Sequence, residues 1–429
     1  MNTNIQKENG VMKVSKMAET LIGSEILKLA GEINNKIKQG EKIYNMTVGD
    51  FNPKIFPIPS ALKAEIMAAY EQDETNYPPA SGMSELVDSV SCFLKKRLDL
   101  DYSSENILIA GGARPLIYGV YKAILDQEDT VLYPVPSWNN NHYCHLAGCN
   151  QVFIETKAEN DFMPTASELK PYLHQAQLIA LCSPLNPTGT IFTKEGLIEI
   201  CELIIAENKR RSPHEKPLYI LYDQIYWTLM HGNNMHFNPV SLFPELKEYT
   251  IFIDGLSKAF AATGVRVGWG FGPKRIIDKM KSIIGHVGAW APRAEQVACA
   301  KYLRQDENIN IYLDNLKAAI QRRLNALYEG FVRLKNMGYR VDVIVPQAAI
   351  YLTVQINLKG QKIPGGEILH TAADVTAYIL EDAKIGIVPF SAFGASADSS
   401  WYRISVGTLL ESEIKGLLEN LEASLAKLN

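Results

Sequence analysis

The sequence lacks long hydrophobic runs, and no apolar stretch reaches the roughly 18 residues that a membrane-spanning helix needs. The first residues, Met1 to about Ser15, are polar and contain no apolar segment of the kind that a secretory signal carries. We therefore expect no membrane insertion and no export, and we expect the protein to be cytoplasmic.

A strong charge of one sign is also absent, because 43 Lys and Arg residues face 47 Asp and Glu residues and the formal net charge is −4. Such a chain has no basic field that would attract nucleic acid or an anionic membrane surface. The Gly-x-Gly-x-x-Gly fingerprint is missing as well, which argues against a dinucleotide-binding fold. A dehydrogenase is therefore a weak alternative, and we expect no nucleic-acid partner.

Cysteine is sparse, with six residues in 429 and no Cys-x-x-Cys pair. This usage is typical of free thiols in a reducing compartment. His142, Cys144, His145 and Cys149 lie close together in the sequence, but their spacing matches no common zinc pattern. We therefore predict no metal site.

The length of 429 residues is large for one domain, while 47% hydrophobic and 21% charged residues are ordinary values for a globular protein. A large α/β unit with a smaller second unit is the natural expectation. We found no internal repeat.

The most informative stretch of the sequence surrounds Lys258. The apolar run at residues 250–253 predicts a short buried strand, so Lys258 follows the carboxyl end of that strand. Ligands bind at this edge of an open α/β sheet, and a desolvated lysine there can form a Schiff base. Arg266, framed by Gly264 and Gly268, can hold an anion with its planar fork while the glycines let the backbone come close.

The stretch from Asp254 to Gly268 resembles, at every constrained position, the lysine signature of class I pyridoxal-phosphate aminotransferases. That signature has a Schiff-base lysine, small spacers and then Gly-x-Arg-apolar-Gly. The resemblance spans most of the chain and is aspartate aminotransferase-like. It implies pyridoxal 5'-phosphate (PLP) on Lys258, fold type I and the transfer of an amino group.

Two further polar side chains follow apolar runs that predict parallel strands. Asn186 lies in the turn after residues 178–182, and Asp223 follows residues 218–222. The gaps of 37 residues from Asn186 to Asp223 and 35 from Asp223 to Lys258 match the size of βα units. We therefore predict that all three side chains meet at one edge of a parallel sheet.

The resemblance implies a role for each cofactor-binding residue. Lys258 would move the Cα proton as a general base and then acid, and Asp223 would keep the pyridine nitrogen protonated. Tyr226 and Asn186 would hydrogen-bond the phenolic oxygen, and Trp138 would stack on the ring. The phosphate would contact Arg266 and a further set consisting of Gly112, Ala113, Arg114 and Ser257. Some relatives carry a serine three positions before the lysine, where this chain has Gly255, so the hydroxyl ligand stays open.

The resemblance also implies a substrate site and a homodimer. Arg403 would bind the substrate α-carboxylate, with Gly49, Trp138 and Asn186 as the other substrate-binding positions. Tyr77 would reach the phosphate bound to a second copy of the chain. Arg293 is a candidate for recognising an acidic side chain, whereas Trp138 and Tyr77 would suit an aromatic one.

The expected architecture is α/β, with a large PLP-binding domain over residues 51–315 that holds a mostly parallel seven-stranded-type sheet flanked by helices. A smaller α+β domain would be built from both termini, residues 1–50 and 316–429. Near the N-terminus, the apolar spacing predicts one amphipathic helix over residues 16–39 and a strand over residues 43–48.

The reaction itself has three interpretations. The first is a ping-pong aminotransferase that takes an amino group from an L-amino acid, such as aspartate or an aromatic one, to a 2-oxo acid. The second is a carbon–sulfur β-lyase of the same fold, since the same residues serve both reactions. The third is a non-catalytic PLP-binding protein.

Overall fold

The computed structural model describes residues 14–23 and 25–428. Most of the polar N-terminal stretch interpreted above, residues 1–13, lies outside the described residues. Across the part that is described, no helix is both long enough and apolar enough to cross a membrane.

The described chain alternates helices and strands. The helices are α1 Lys16–Thr20, α2 Glu25–Lys38, α3 Ser60–Glu71, α4 Ser84–Leu98, α5 Ala113–Ile124, α6 Asn140–Ala147, α7 Ala166–Leu169, α8 Lys194–Arg210, α9 Pro239–Leu242, α10 Leu256–Ala259, α11 Lys274–Val287, α12 Arg293–Tyr302, α13 Asp306–Asn336, α14 Ala372–Tyr378 and α15 Ile414–Ala426. The strands are β1 Tyr44–Asn45, β2 Ile107–Ala110, β3 Thr130–Val135, β4 Asn150–Glu155, β5 Ala176–Cys182, β6 Tyr219–Asp223, β7 Thr250–Gly255, β8 Gly268–Phe271, β9 Val341–Val343, β10 Tyr351–Ile356, β11 Ile385–Gly386, β12 Val388–Pro389 and β13 Trp401–Ser405.

A seven-stranded sheet forms the centre of the molecule, with strand order β2-β8-β7-β6-β5-β3-β4. Strands β7, β6, β5, β3 and β4 pair in parallel, and β8 lies antiparallel between β2 and β7. The predicted α/β class with a mostly parallel seven-stranded sheet is confirmed. Because the strands other than β8 run the same way, their carboxyl ends share one edge.

Both faces of this sheet are covered, which explains the continuous apolar runs of its strands. On β7, Phe252 faces a core formed with α4, α8 and α12, whereas Ile251 and Ile253 face a core formed with α5, α6 and α11. This alternation follows from the two-residue period of a strand.

A second, antiparallel sheet has strand order β12-β13-β10-β9, and β1 pairs in parallel with β11. Its core includes Tyr44 and Met46 from the N-terminal part together with C-terminal residues. Helix α13 contributes Ile309 and Leu313 to the core of the large sheet but Leu316 onward to this second core. We therefore propose the domain boundary near residue 315.

The interpretation of the N-terminal segment as a single helix over residues 16–39 was wrong. Ser15 caps α1 by accepting a 3.2 Å hydrogen bond from the amide of Ala18, but the backbone at Leu21 is extended and ends that helix. The predicted strand over residues 43–48 was too long, because only Tyr44 and Asn45 pair, with Ile385 and Gly386.

Candidate active site

A cavity of about 590 Å³ opens at the carboxyl edge of the large sheet, where the second sheet faces it. Most of the predicted site residues line it: Gly49, Ala113, Arg114, Trp138, Asn186, Asp223, Tyr226, Ser257, Lys258, Arg266 and Arg403. Asn186, Asp223 and Lys258 lie together at this edge of the sheet, where the sequence predicted them.

Lys258 reaches the cavity from α10, which begins directly after β7. Gly255 allows the end of β7 to lie close to β8, because a Cβ there would lie 2.8 Å from the Cα of Gly268. The Lys258 Nζ donates a 2.6 Å hydrogen bond to the Gly49 carbonyl. The pKa of Lys258 is lowered to about 8, mainly by burial; Asp50 opposes this shift, and Arg403, Arg114 and Arg266 contribute to it. The amine is therefore partly neutral near physiological pH.

Asp223 is the last residue of β6 and borders the cavity. Its Oδ1 accepts a 3.0 Å hydrogen bond from the amide of Ile225, and burial raises its pKa to about 6. Among the described residues, no basic side chain forms an ion pair with this carboxylate. A buried carboxylate without a cation leaves a place for a positive group of a ligand.

Arg403 is buried to 1% exposure between the rings of Tyr351 and Phe393, each centroid 4.8 Å from its guanidinium carbon. Its Nη1 donates to Asn186 Oδ1 at 3.0 Å and its Nη2 to the Thr47 carbonyl at 2.5 Å. Its Nε has no hydrogen-bond partner, and no carboxylate of the described chain pairs with the guanidinium. Since a buried unpaired charge is costly, this arginine is suited to an anionic ligand.

Arg266 is a second guanidinium group that lines the cavity. Its Nη1 and Nη2 each donate a 2.8 Å hydrogen bond, to the carbonyls of Thr263 and Gly111, so the guanidinium is held in place. Gly112 has a φ of +97°, and a side chain there would collide with this guanidinium. The Gly112 amide donates to the Ala110 carbonyl at 2.7 Å. The first-turn amides of Ala113 and Arg114 remain the better donors for a phosphate.

Aromatic groups and hydroxyls complete the wall. The Arg114 guanidinium carbon lies 5.2 Å from the Trp138 ring centroid, and the Tyr226 hydroxyl contacts the Tyr351 hydroxyl at 2.5 Å. Ser257 is buried at the start of α10. These positions set an aromatic face and several hydroxyl groups around the Lys258 amine.

Two candidates from the sequence lie outside the cavity of their own chain. Tyr77 is 81% exposed and contacts Trp290 with a ring-centroid distance of 5.4 Å. Arg293 donates from Nε to the Glu74 carboxylate at 2.5 Å. Within one chain, the structure therefore does not bring either residue to the site.

Sequence reasoning missed several residues that shape the cavity. The Asp50 carboxylate accepts from the Thr263 hydroxyl at 2.6 Å and tunes Lys258, and Tyr351 packs under Arg403. Asp50 directly follows the predicted Gly49 and could have been found from that neighbour. Tyr351 starts an ordinary strand, and no local signal marked it.

The cluster of His142, Cys144, His145 and Cys149 does not form a metal centre. Across residues 14–23 and 25–428, no three His, Cys, Asp or Glu side chains are grouped so that they could hold a metal ion. His145 instead contacts the Met17 carbonyl at 2.8 Å through Nε2.

The lowered pKa gives a pH prediction for Lys258. In protein freed of small molecules, we expect its labelling by an amine-reactive ester to rise with pH around a midpoint near 8, since only the neutral amine reacts. Labelling of exposed lysines should rise around a pH of about 10.4, their ordinary pKa. Asp50→Asn should move the Lys258 midpoint lower, because Asp50 favours the charged amine. Peptide mass spectrometry measures each site, and a midpoint at the ordinary value would refute a desolvated amine.

Comparison with known proteins agrees with this geometry. The family model for aminotransferase class I and II matches residues 41–421. The aspartate aminotransferase of Geobacillus stearothermophilus is 29% identical, covering 94% of this chain and 96% of that protein. The aspartate aminotransferase of Rhizobium meliloti (strain 1021) is 28% identical, covering 99% and 98%.

Solved structures are similar over almost the whole chain. The crystal structure of the Rhizobium meliloti aspartate aminotransferase has a TM-score of 0.88 at 26% identity, covering 97% of this chain and all of that one. The aromatic aminotransferase of Pyrococcus horikoshii OT3 has a TM-score of 0.80 at 25% identity, covering 92% and 98%. The fold-type-I resemblance is confirmed, and the chain belongs to the PLP-dependent aminotransferase class I and II family.

Proposed function

We propose that this aminotransferase moves an amino group from an L-amino acid, with aspartate and aromatic amino acids as first candidates, to a 2-oxo acid. The observation that carries the proposal is the set of buried charges without counter-ions around the Lys258 amine. Relatives named as aspartate aminotransferases support the first candidate, and the aromatic aminotransferase of similar structure supports the second.

The cavity's donors fit PLP. Asp223 offers an unpaired carboxylate for the protonated ring nitrogen, and Arg266 with the amides of Ala113 and Arg114 offers donors for the phosphate. Trp138 supplies an aromatic face, and Gly112 leaves the space that a side chain would fill. The remaining unpaired cation, Arg403, is then available for a substrate carboxylate.

When bound, PLP supplies the electron sink that stabilises negative charge at the substrate Cα. Lys258, with a pKa of about 8, can take the Cα proton and return it, because a pKa near the working pH suits general acid–base catalysis. Asp223, with a pKa of about 6, is mostly ionised at neutral pH and would hold a proton on the ring nitrogen. Tyr226 and Asn186 would donate hydrogen bonds to the phenolic oxygen.

Arg403 and Gly49 would position the substrate. A planar guanidinium binds a carboxylate through two parallel hydrogen bonds, which fixes orientation as well as affinity. Gly49 lets the chain approach, since a Cβ there would lie 2.6 Å from the Tyr351 hydroxyl oxygen. Asn186 already contacts Arg403 and would link substrate and cofactor.

The side-chain part of the cavity supports a mixed preference. Ile26, Ala30 and Ile117 give it an apolar lining next to Trp138. Arg114, which is exposed at the same wall, offers a cation for an acidic side chain. Arg293 is a weaker candidate because Glu74 already pairs with it.

A homodimer is part of the proposal. Tyr77 is largely exposed and packs on the half-buried Trp290, and aromatic residues are enriched at protein interfaces. Contact with a second copy would bury this pair and bring Tyr77 to the phosphate of the other site.

A spectral screen of the PLP-loaded protein tests the function. We expect aspartate, glutamate, tyrosine or phenylalanine to change the visible absorbance of the bound cofactor, and a 2-oxo acid to restore it. Chromatographic detection of the new amino acid shows that both half-reactions occur. Pyruvate release from cystathionine without a 2-oxo acid, and no amino transfer, would instead indicate a β-lyase. No response to any amino acid would indicate a non-catalytic PLP-binding protein.

A further inference from the structure

The end of helix α6 brings two cysteines together. Gly148 is left-handed, with φ 75° and ψ 25°. The Cys149 amide donates to the Cys144 carbonyl and the Gly148 amide to the His145 carbonyl, each at 3.2 Å. This is a Schellman motif, in which the residue after the glycine packs against the residue five positions earlier. Here both packing positions are cysteine.

The two cysteines lie at the same turn and differ in exposure. The Cys149 thiol donates to the Cys144 carbonyl oxygen over 3.7 Å, so its sulfur lies against the residue that carries the second thiol. Cys144 is buried, whereas Cys149 is partly accessible. An oxidant can therefore reach Cys149 first, with Cys144 directly behind it.

The electrostatic surroundings divide the roles in the same way. The Cys144 thiol lowers the pKa of Cys149 and Lys122 lowers it further, while burial and Asp129 raise it. The pKa of Cys144 is raised, first by its contact with Cys149 and then by burial. An accessible, more acidic thiol next to a second thiol is typical of a cysteine that is oxidised and then resolved.

We propose that Cys144 and Cys149 form a redox-active dithiol that a hydroperoxide converts into an intramolecular disulfide. The Cys149 thiolate attacks one peroxide oxygen, so an S–O bond forms, the O–O bond breaks, and the departing oxygen takes a proton and leaves as water or an alcohol. Cys144 then loses its proton and attacks the Cys149 sulfur, so the S–S bond forms and water leaves. The two sulfurs supply the two electrons that reduce the peroxide, and a small dithiol reverses the change.

The pair lies behind the wall of the active-site cavity. Tyr121 belongs to the same buried cluster as Cys144 and donates a 3.0 Å hydrogen bond to Asn140 Oδ1, and Asn140 lines the cavity. The proposal does not depend on which substrate the enzyme uses.

Mass spectrometry of the full, PLP-loaded protein tests the pair. After limiting hydrogen peroxide, alkylation and trypsin digestion, the single peptide of residues 123–157 carries both cysteines and no other. We expect this peptide to lose two hydrogens and to escape alkylation, and we expect dithiothreitol to restore both thiols. Two of the six thiols should be lost.

Single variants separate the roles. Cys144→Ser should leave Cys149 as a sulfenic acid that dimedone traps, and Cys149→Ser should keep Cys144 as a thiol. Cys92→Ser is the matched control, because Cys92 is exposed and lies on α4, and it should behave as the wild type. The proposal is overturned if the wild-type peptide keeps both thiols while Cys92 reacts, or if Cys149 passes to the sulfinic acid with Cys144 still free. Both outcomes are read on the wild-type protein and do not depend on how the variants fold.

Discussion

We expect Lys258→Ala to lower kcat for amino transfer by about 10⁴-fold, because it removes the amine that, in the proposed reaction, moves the Cα proton and attaches the cofactor. Formation of the product amino acid measures the rate. Mass spectrometry after borohydride reduction measures attachment, which should be lost while non-covalent PLP binding remains. Lys194→Ala, at the exposed start of α8, is the matched control and should leave both unchanged. Retention of a large part of the activity would rule out the assigned role.

The inactive variant also tests the proposed dimer. Tyr77→Phe should weaken PLP binding about tenfold, the loss expected for one hydrogen bond to a charged group. In a mixed dimer, one chain carries Tyr77→Phe and keeps Lys258, and the other chain carries Lys258→Ala and keeps Tyr77. The site that contains Lys258 then has an intact Tyr77 only in the other chain. If Tyr77 acts across the interface, that site regains wild-type PLP affinity. If Tyr77 acts within its own chain, or if the protein is a monomer, mixing restores nothing.

Positions governed by chain connectivity could be predicted from the sequence. Asn186, Asp223 and Lys258 each follow an apolar run by one or a few residues, and parallel strands put such positions at one edge. Arg403 was found because an arginine in a strand-like run needs a partner or a cavity. For the first three residues the location follows from chain connectivity, and for Arg403 it follows from the cost of burying an unpaired charge.

Positions set by contacts between distant segments could not be predicted in this way. Strand β8 contains Gly268 and Gly270, residues that disfavour strands, and it forms by pairing with β2 and β7. Position 268 requires glycine because a Cβ there would lie 2.6 Å from the backbone of Gly112. Arg293 was a candidate from its local sequence, but Glu74, more than 200 positions away, pairs with it. Tyr351 contacts Tyr226 across 125 positions. The sequence contains no local mark of such pairs.

Arg403→Ala should lower kcat/KM for the amino acid substrate by about 10³-fold, the size expected for losing a buried, bidentate contact to a carboxylate. The kcat/KM of Arg403→Lys should lie between the values of the wild type and Arg403→Ala, because an ammonium group keeps the charge but not the planar fork. The loss should appear mainly in KM and in the discrimination between an amino acid and the matching amine that lacks the α-carboxylate. PLP absorbance and affinity should change little, because Arg266 and the amides after Gly112 bind the phosphate in this proposal.

Comparing the amino acid with the amine distinguishes a loss of carboxylate recognition from a general disturbance of the active-site structure. In the wild type, the amino acid should be strongly preferred, and in Arg403→Ala this preference should collapse while the rate with the amine is kept. Arg322→Ala removes an exposed arginine of α13 that pairs with Glu411 at 3.2 Å, and it should keep the preference. An equal loss for amine and amino acid in Arg403→Ala would assign Arg403 a role in packing against Tyr351 and Phe393 instead. Arg403 has no carboxylate partner within the described chain, so its removal strands no buried anion, and a selective loss of carboxylate recognition is the expected result.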